Sequence, residues 1–432
     1  MNPVTKILRL NWFLFALMAA LIVSGIFFIK SATAAGDTAA ALALTQQQQR
    51  WALVGLAVFL CCALIDYELV LRFAPLLFLL SVVSLVVVLV GGQTINGATS
   101  WLRLGGLVVQ PAEPGKIAFI LGMSWLLLVM DDYKKKFWFF ILIGLVALIP
   151  AGLILKQPDL GTALVFFPVT CVIMWAAGMP KRFLALLPVG VGVGLVFAYF
   201  IVYQAWWDGT AGDLWPAGQR AGYVVAGKKA ALPSDQLLKL APATGKKKGI
   251  LPLISGGETA KKNSGVILKP YQLGRIRTFF EPDLDPLGDG WTIRQSMNTI
   301  GSGGFKGKGY VSEYGFLPKN IAYNDFIFAV IGEEVGFVGG TLFILCQSAL
   351  IIGVLYVAGR ARDAGGMLLC LGFAALLFAH FFQNVAMTVK VAPITGIPLP
   401  FTSYGGSFLV TCMAGMGLVQ SVWIHRKNFY NH

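Results

Sequence analysis

The stretch FAPLLFLLSVVSLVVVLVG, residues 73–91, carries no charged side chain. An α-helix needs about 20 mostly apolar residues to cross the hydrocarbon core of a bilayer, so this stretch predicts a membrane-spanning helix. Further runs of this kind, separated by charged breaks, lie at residues 11–29, 51–65, 114–130, 137–155, 160–179, 183–204, 324–357, 365–388 and 403–424. The sequence therefore predicts an all-α polytopic integral membrane protein with about ten transmembrane helices.

The composition indicates the same class of protein. Hydrophobic residues make up 57% of the 432 positions and charged residues only 12%, which is outside the range of soluble globular domains. The formal net charge of +14 is spread along the membrane edges rather than gathered on one soluble face. We therefore expect anionic membrane lipid, and no nucleic acid, as the partner of this charge. All six cysteines fall within apolar runs, so no disulfide framework is predicted.

Basic residues in the short loops indicate the orientation of the spans, because positively charged loops resist translocation. Lys134 to Lys136, Lys181 with Arg182, and Arg360 with Arg362 fall in loops on the same side as the N terminus. We therefore expect both termini in the cytoplasm, in a multi-pass protein of the cell inner (cytoplasmic) membrane.

The chain divides around one long hydrophilic segment. Residues 1–204 are predicted to hold helices 1–7 and residues 324–432 helices 8–10, with a large extracytoplasmic loop at 205–323 between helices 7 and 8. The first part of the loop, 205–269, is a lysine-rich insert that we interpret as mostly irregular. The second part, 270–323, crowds acids, arginines, lysines and glycines together and is the predicted catalytic region.

Four polar stretches fall on the predicted outer surface, at residues 96–116, 156–162, 271–309 and 393–407. Each contains Pro or Gly beside charged or hydrogen-bonding groups, a composition that breaks helices. Such backbone is tolerated at membrane depth only where it is buried in protein or lines a cavity. The four stretches therefore predict a polar cavity that opens outward and suits an anionic substrate.

Five ordered motifs run through these stretches and the span between them. They consist of Trp101, Gln110, Pro111, Glu113 and Lys116; Gln157 to Thr162; Asp285, Pro286, Gln295, Ser296 and Gly301 to Gly304; Asp325 to Ala329 with Glu333 and Glu334; and Gly396 to Phe401 with Ser403 to Ser407. Together they resemble the SEDS family, the shape, elongation, division and sporulation proteins. The phrases FLPKN and GFKGKG are more similar to the elongation member than to the division member. Ala112, Lys390 and Phe408 depart from the family pattern, which has serine, glycine and a small residue there.

The resemblance implies a peptidoglycan glycosyltransferase that polymerises lipid II into glycan strands at the outer face of the membrane, for cell elongation and rod shape. Asp285 aligns with the family's essential loop aspartate and is the predicted general base, taking the proton of a sugar 4-hydroxyl as it attacks the anomeric carbon. One displacement with one base implies inversion, with undecaprenyl diphosphate as the leaving group. The predicted substrate-binding residues are Trp101, Glu113, Lys116, Gln157, Asp159, Arg275, Arg277, Gln295, Ser296, Lys306, Lys308, Ser403, Tyr404 and Ser407.

Several of these residues also have a structural interpretation. Asp285 precedes a proline and could simply initiate a turn. Glu113 and Lys116 lie one helical turn apart and could pair with each other. Asp159 could cap a helix, and the glycine series 301–309 is typical of either a phosphate cradle or a flexible loop.

Other polar residues of the spans leave similar alternatives. Ser403 to Ser407 could present hydroxyls to the cavity or form the tight start of a helix. Glu333 and Glu334 fall in the eighth span, so at least one is expected to pair inside the bundle or to stay protonated. His380 lies in an apolar span and is expected to be a hydrogen-bonded core residue.

By resemblance, the working partner is a class B penicillin-binding protein, a transpeptidase of the elongation machinery. No cofactor is certain, and a divalent cation stays open because the Asp-Leu-Asp spacing at 283–285 is similar to the metal motif of nucleotide-sugar transferases. The rival functions are a lipid II flippase, another lipid-linked sugar transferase that uses a metal, a non-catalytic scaffold, and the division-specific polymerase of the same family.

Overall fold

The computed structural model of the chain describes residues 2–34, 38–95, 98–104, 107–186, 275, 278–280, 289–311, 317 and 319–426. Two predicted site residues, Arg277 and Asp285, lie outside the described residues. So do the 205–269 insert and nearly all of the predicted span 183–204.

The described residues are mostly helical. The helices are α1 (Pro3–Leu8), α2 (Trp12–Ala34), α3 (Thr38–Leu64), α4 (Tyr67–Arg72), α5 (Ala74–Gly91), α6 (Ala112–Val129), α7 (Phe137–Lys156), α8 (Leu160–Ala176), α9 (Lys181–Leu184), α10 (Asp289–Ser302), α11 (Lys319–Ala322), α12 (Ile327–Gly359), α13 (Ala364–Thr388) and α14 (Gly406–Ile424), with a short 3-10 helix at Asp131–Tyr133. Seven of these described helices, α2, α5, α6, α7, α12, α13 and α14, are long and apolar enough to cross a membrane, and α8 is a shorter apolar helix. The predicted fold class, a helical multi-pass membrane protein, is confirmed.

Helix α3 is longer than the apolar run that predicted it. The run 51–65 forms only the C-terminal half of the helix, which extends upstream through the polar residues 46–49 to Thr38. Gln48 in this upstream half is buried, and its amide meets the backbone of Ser403 and Gly405. The helix continues through polar sequence because alanine and glutamine are good helix formers and because the bundle supplies partners for the buried amide.

The outer stretch between α5 and α6 forms a small antiparallel sheet instead of an irregular loop. Its strands are β1 (Gln93–Ile95), β2 (Ala98–Leu104) and β3 (Leu107–Val109), in the order β1-β2-β3, with Thr94 opposite Thr99 and Leu102 opposite Val109. Threonine, valine and tryptophan favour strands, and they supply much of this stretch. The sheet ends directly before α6 and so determines where the charged first turn of α6 lies.

Helices α6, α13 and α14 are the most buried of the described spans and form the centre of the protein.

Glycines let α14 approach α3 closely. A Cβ atom on Gly417 would lie 2.5 Å from the Phe59 carbonyl oxygen, and one on Gly406 would lie 2.2 Å from the Trp51 ring. In lipid, helices associate through close packing rather than through exclusion of water. These contacts therefore hold α14 against α3.

Helix α12 breaks at Gly336, which has φ +64° and ψ −163°. A break within a span frees backbone groups that need partners inside the protein. The segment after α10 supplies them, since the Lys308 amide donates to the Glu333 carbonyl at 2.9 Å and the Phe337 amide donates to the Gly304 carbonyl at 2.9 Å. The glycine series 301–309 therefore packs its backbone against the break in α12.

Gly307→Ala should destabilise the protein, because the new Cβ atom would lie 2.1 Å from the Glu334 carbonyl oxygen at a residue with φ +82°. Strain of this kind costs on the order of 1–3 kcal/mol. The apparent melting temperature in detergent measures the effect. Gly301→Ala is the matched control, because no atom of the described residues outside its own helix would lie within 4 Å of the new Cβ atom. Equal melting temperatures for the two variants would contradict the proposed packing.

Candidate active site

The first turn of α6 carries an acid and a base that are both buried. Glu113 and Lys116 are each only 2% exposed, and Lys116 Nζ lies 2.8 Å from Glu113 Oε2. Pairing and substrate contact were both open from the sequence, and the structure shows the pairing. Glu113 also lies where the positive end of the helix dipole favours a carboxylate. Substrate contact by these two residues stays a prediction.

Lys116 has a second polar neighbour on α13. His380 Nε2 lies 2.9 Å from Lys116 Nζ, and His380 Nδ1 lies 3.2 Å from the carbonyl oxygen of Pro398. The prediction that His380 is a hydrogen-bonded core residue is confirmed. Its contact with Lys116 was not predicted, because the two residues are far apart in the chain. The space next to Lys116, lined mainly by Phe119, Phe166 and Leu376, is too small for a water molecule in this conformation.

The Gly-Ile-Pro-Leu-Pro-Phe motif is an extended segment held by buried amides. Asn384 Nδ2 donates to the Ile397 carbonyl at 2.7 Å, and Gln347 Nε2 donates to the Pro400 carbonyl at 2.8 Å. Non-helical backbone at membrane depth is stable only when such partners are present. Asn384 and Gln347 were missed from the sequence, where the signal is a lone amide within an apolar run.

The Ser-Tyr-Gly-Gly-Ser motif forms the start of α14. The Ser403 hydroxyl accepts from the Leu399 amide at 2.8 Å and donates to the Asn324 carbonyl at 2.7 Å. This hydroxyl is therefore engaged within the protein, which favours the helix-start interpretation for Ser403. Tyr404 stacks edge-on against Tyr323 at 5.4 Å. Tyr404 and Ser407 are half-buried and stay candidates for substrate contact.

Asp159 is the N-cap of α8. Its Oδ1 accepts from the Thr162 amide at 3.0 Å, and its Oδ2 accepts from Gln110 Nε2 at 2.9 Å. The capping interpretation is thus confirmed, and the second bond links α8 to the end of the outer sheet. Gln157 is buried and donates to the Leu85 carbonyl at 3.1 Å, so its amide joins α7 to α5.

Two motifs and the polar stretch 271–309, from distant parts of the chain, meet at Gly396. A Cβ atom there would lie 3.3 Å from Asp325 Oδ2 and 3.7 Å from Arg275 Nη1. Asp325 lies just before α12, outside its membrane span. Burial raises its pKa to about 6, Asp159 adds to the increase, and the positive charge of Arg275 opposes it. Asp325 was quoted as part of a motif but was not predicted as a site residue.

Helix α10 carries two predicted site residues toward α13. Ser296 is fully buried and donates to the Thr388 carbonyl at 2.8 Å, so its hydroxyl anchors α10 to the end of α13. Gln295 is half-buried, and its Oε1 has no hydrogen-bond partner among the described residues. Substrate contact by Gln295 stays a prediction.

The two predicted lysines of the glycine-rich segment differ in their surroundings. Lys308 Nζ lies 2.9 Å from Glu333 Oε1, which is buried in α12. The expectation that one of the two adjacent glutamates pairs inside the bundle is therefore confirmed, and Glu334 accepts a hydrogen bond from Ser31. Lys306 is exposed on the same segment.

Trp101 is half-buried in β2. Among the residues that the structure describes, no three His, Cys, Asp or Glu side chains come together as metal ligands, and the 283–285 acids are not among those residues.

Asp325→Asn should change how stability depends on pH. In the folded protein the Asp325 carboxyl titrates near 6, above its ordinary value of about 4, so the fold binds this proton more tightly than the unfolded chain does. The resulting stabilisation is full below about pH 4 and is lost as pH rises through about 6.

The melting temperature of the wild type, taken relative to that of Asp325→Asn, should therefore fall between about pH 4.5 and pH 7.5. Both proteins are measured in the same detergent across that range. A difference that stays constant with pH would show that Asp325 does not titrate as described.

Comparison with known proteins identifies relatives along nearly the whole chain. A family model of FtsW, RodA and SpoVE, described as "Cell cycle protein", matches residues 9–238 and 243–428. The peptidoglycan glycosyltransferase RodA of Treponema pallidum is 33% identical over 95% of this chain and 97% of its own length. The peptidoglycan glycosyltransferase MrdB of Escherichia coli K12 is 30% identical over 87% of this chain and 84% of its own. A probable FtsW of Trichlorobacter lovleyi is 32% identical over 87% and 82%.

Solved structures show the same fold. A chain from the work "Structural coordination of polymerization and crosslinking by a peptidoglycan synthase complex" matches with a TM-score of 0.68 and 26% identity, over 96% of this chain and 97% of that chain. The crystal structure of Thermus thermophilus rod shape determining protein RodA matches with a TM-score of 0.59 and 24% identity, over 97% and 98%. The extent of these matches and the five sequence motifs lead to one conclusion: the chain belongs to the FtsW, RodA and SpoVE family, the SEDS proteins.

Proposed function

We propose that this protein is a peptidoglycan glycosyltransferase that polymerises lipid II into glycan strands at the outer face of the inner membrane. The observation that carries the proposal is the convergence at Gly396 of Asp325, from one family motif, and Arg275, from the polar stretch 271–309. Relatives that are named peptidoglycan glycosyltransferases cover most of the chain and support the same activity.

The proposed reaction is a single displacement at the anomeric carbon of the donor. Asp285 would take the proton from the acceptor's 4-hydroxyl as the new glycosidic bond forms. The bond to undecaprenyl diphosphate breaks in the same step, and cations stabilise the negative charge on the leaving diphosphate. Arg275, Arg277, Lys306, Lys308 and Lys116 are proposed for that role, and the last two also pair with Glu333 and Glu113.

The proposed setting is a multi-pass protein with both termini in the cytoplasm. We propose elongation as its role. The match spans 97% of the length of the RodA of Treponema pallidum but 82% of the length of the FtsW of Trichlorobacter lovleyi. The partner would be a class B penicillin-binding protein, and the likeness to a chain of a peptidoglycan synthase complex supports this.

Asp285→Asn should abolish polymerisation. Removing a general base lowers the rate by about 100-fold to 10,000-fold. The assay incubates the full chain, purified with its transpeptidase, with labelled lipid II and separates the glycan products on a gel. Asp283→Asn is the matched control, because it removes a carboxylate from the same loop two residues away and should keep most of the activity.

Each rival function predicts a different result in this assay. A lipid II flippase or a scaffold would give no glycan even with the wild type. Full activity of Asp285→Asn would contradict the mechanism, and loss of activity with a chelator would favour the metal-dependent transferase.

A further inference from the structure

We propose that His380 is a positioning residue for Lys116, whose ammonium it holds in one orientation beside Glu113. The inference rests on the proposed function, because the lysine is oriented for work on a charged substrate. His380 belongs to none of the family motifs, and it lies on α13 while Lys116 lies on α6.

The hydrogen bonds around the imidazole select one tautomer. An ammonium group can only donate, so His380 Nε2, at 2.9 Å from Lys116 Nζ, must accept. The ring proton then lies on Nδ1, which faces the Pro398 carbonyl at 3.2 Å, an oxygen that can only accept. Both ring nitrogens have partners only in this neutral form, because an imidazolium would direct an N–H bond at the ammonium.

Three helices meet at the lysine ammonium. Glu113 on α6 contacts it at 2.8 Å, and His380 on α13 contacts it at 2.9 Å. The ring of Phe408 on α14 lies with its centroid 5.2 Å from Nζ, within range of a cation–π interaction, and also 4.6 Å from the centroid of the imidazole ring. Phe408 replaces a small residue of the family pattern, so this chain adds an aromatic wall to the pair. A flexible lysine side chain is thus confined on several sides.

The imidazole also connects the lysine to the extended segment before α14. His380 faces the Pro398 carbonyl, and Asn384, one turn further along α13, donates to the Ile397 carbonyl. The same face of α13 therefore holds consecutive carbonyls of the segment and the lysine ammonium. The imidazole ring of His380 therefore links the position of Lys116 to this segment.

Two amide variants separate the two contacts of His380. Glutamine places its terminal amide near the position of Nε2 and keeps an acceptor for Lys116, whereas asparagine reaches only the position of Nδ1 and keeps a donor for Pro398. In the lipid II assay with the full chain and its transpeptidase, we expect His380→Gln to keep most of the wild-type kcat. His380→Asn should lose about tenfold or more, since hydrogen bonds to charged groups have effects of this size.

His380→Asn should melt lower than His380→Gln, because the buried ammonium loses its partner. The kcat values are therefore compared at a temperature well below both melting temperatures, where both variants stay folded. The inference is overturned if His380→Asn matches the wild type, or if His380→Gln loses as much activity as His380→Asn.

A second measurement needs no activity. His380→Phe should lower the melting temperature while Lys116 is present, because the buried ammonium loses a partner. In the Lys116→Met background the same change should be nearly neutral. An equal cost in both backgrounds would show that His380 only fills space and would overturn the inference. This result stands even if the wild type makes no glycan, in which case the proposed function fails by itself.

Discussion

Inside a bilayer each backbone amide and carbonyl needs a partner within the protein, and much of this structure follows from that constraint. Within the part of the chain that the structure describes, helical geometry is interrupted at Gly336 and along the segment before α14. The first break is satisfied by main-chain bonds from the 301–309 segment, which glycines allow to approach closely. The second is satisfied by side chains, with Asn384 and Gln347 donating to its carbonyls. Polar residues within the spans therefore serve first to hold irregular backbone, and the charged groups of the site are arranged around that backbone.

Charged side chains inside the protein are likewise paired with groups of opposite charge. Lys116 pairs with Glu113 one turn away on its own helix, and Lys308 pairs with Glu333 across two elements. An unpaired charge in either place would carry a large desolvation cost, while a paired and hydrogen-bonded charge is tolerated. Asp325 differs, because burial keeps its pKa raised even with Arg275 nearby. It lies just before α12, outside the membrane span, close to Gly396 and Arg275.

The sequence predicted features that depend on residues close together in the chain. The run 73–91 became α5, Asp159 became a helix cap, and one of the adjacent glutamates found a basic partner. The polar half of α3 was missed because hydropathy alone does not reveal that Gln48 has partners in the residues just before α14. His380 was predicted as a core residue without its contact to Lys116, since that contact joins residues 264 positions apart. Long-range pairings of single polar residues leave no periodic signal in one sequence.

The geometry at Lys116 bears on how a cation can serve the proposed reaction. A lysine beside a carboxylate forms a pair with no net charge, so the pair attracts an anion only weakly. What the lysine contributes is mainly a hydrogen-bond donor that points in a defined direction. The ammonium lies 2.8 Å from Glu113 Oε2 and 2.9 Å from His380 Nε2, and the centroid of the Phe408 ring lies 5.2 Å from it, so its position is confined on three sides. A donor that is already oriented needs no reorganisation when charge develops on a leaving group. The space between Lys116 and Phe119, Phe166 and Leu376 is too small for a water molecule in this conformation, so a substrate cannot occupy that space as it stands.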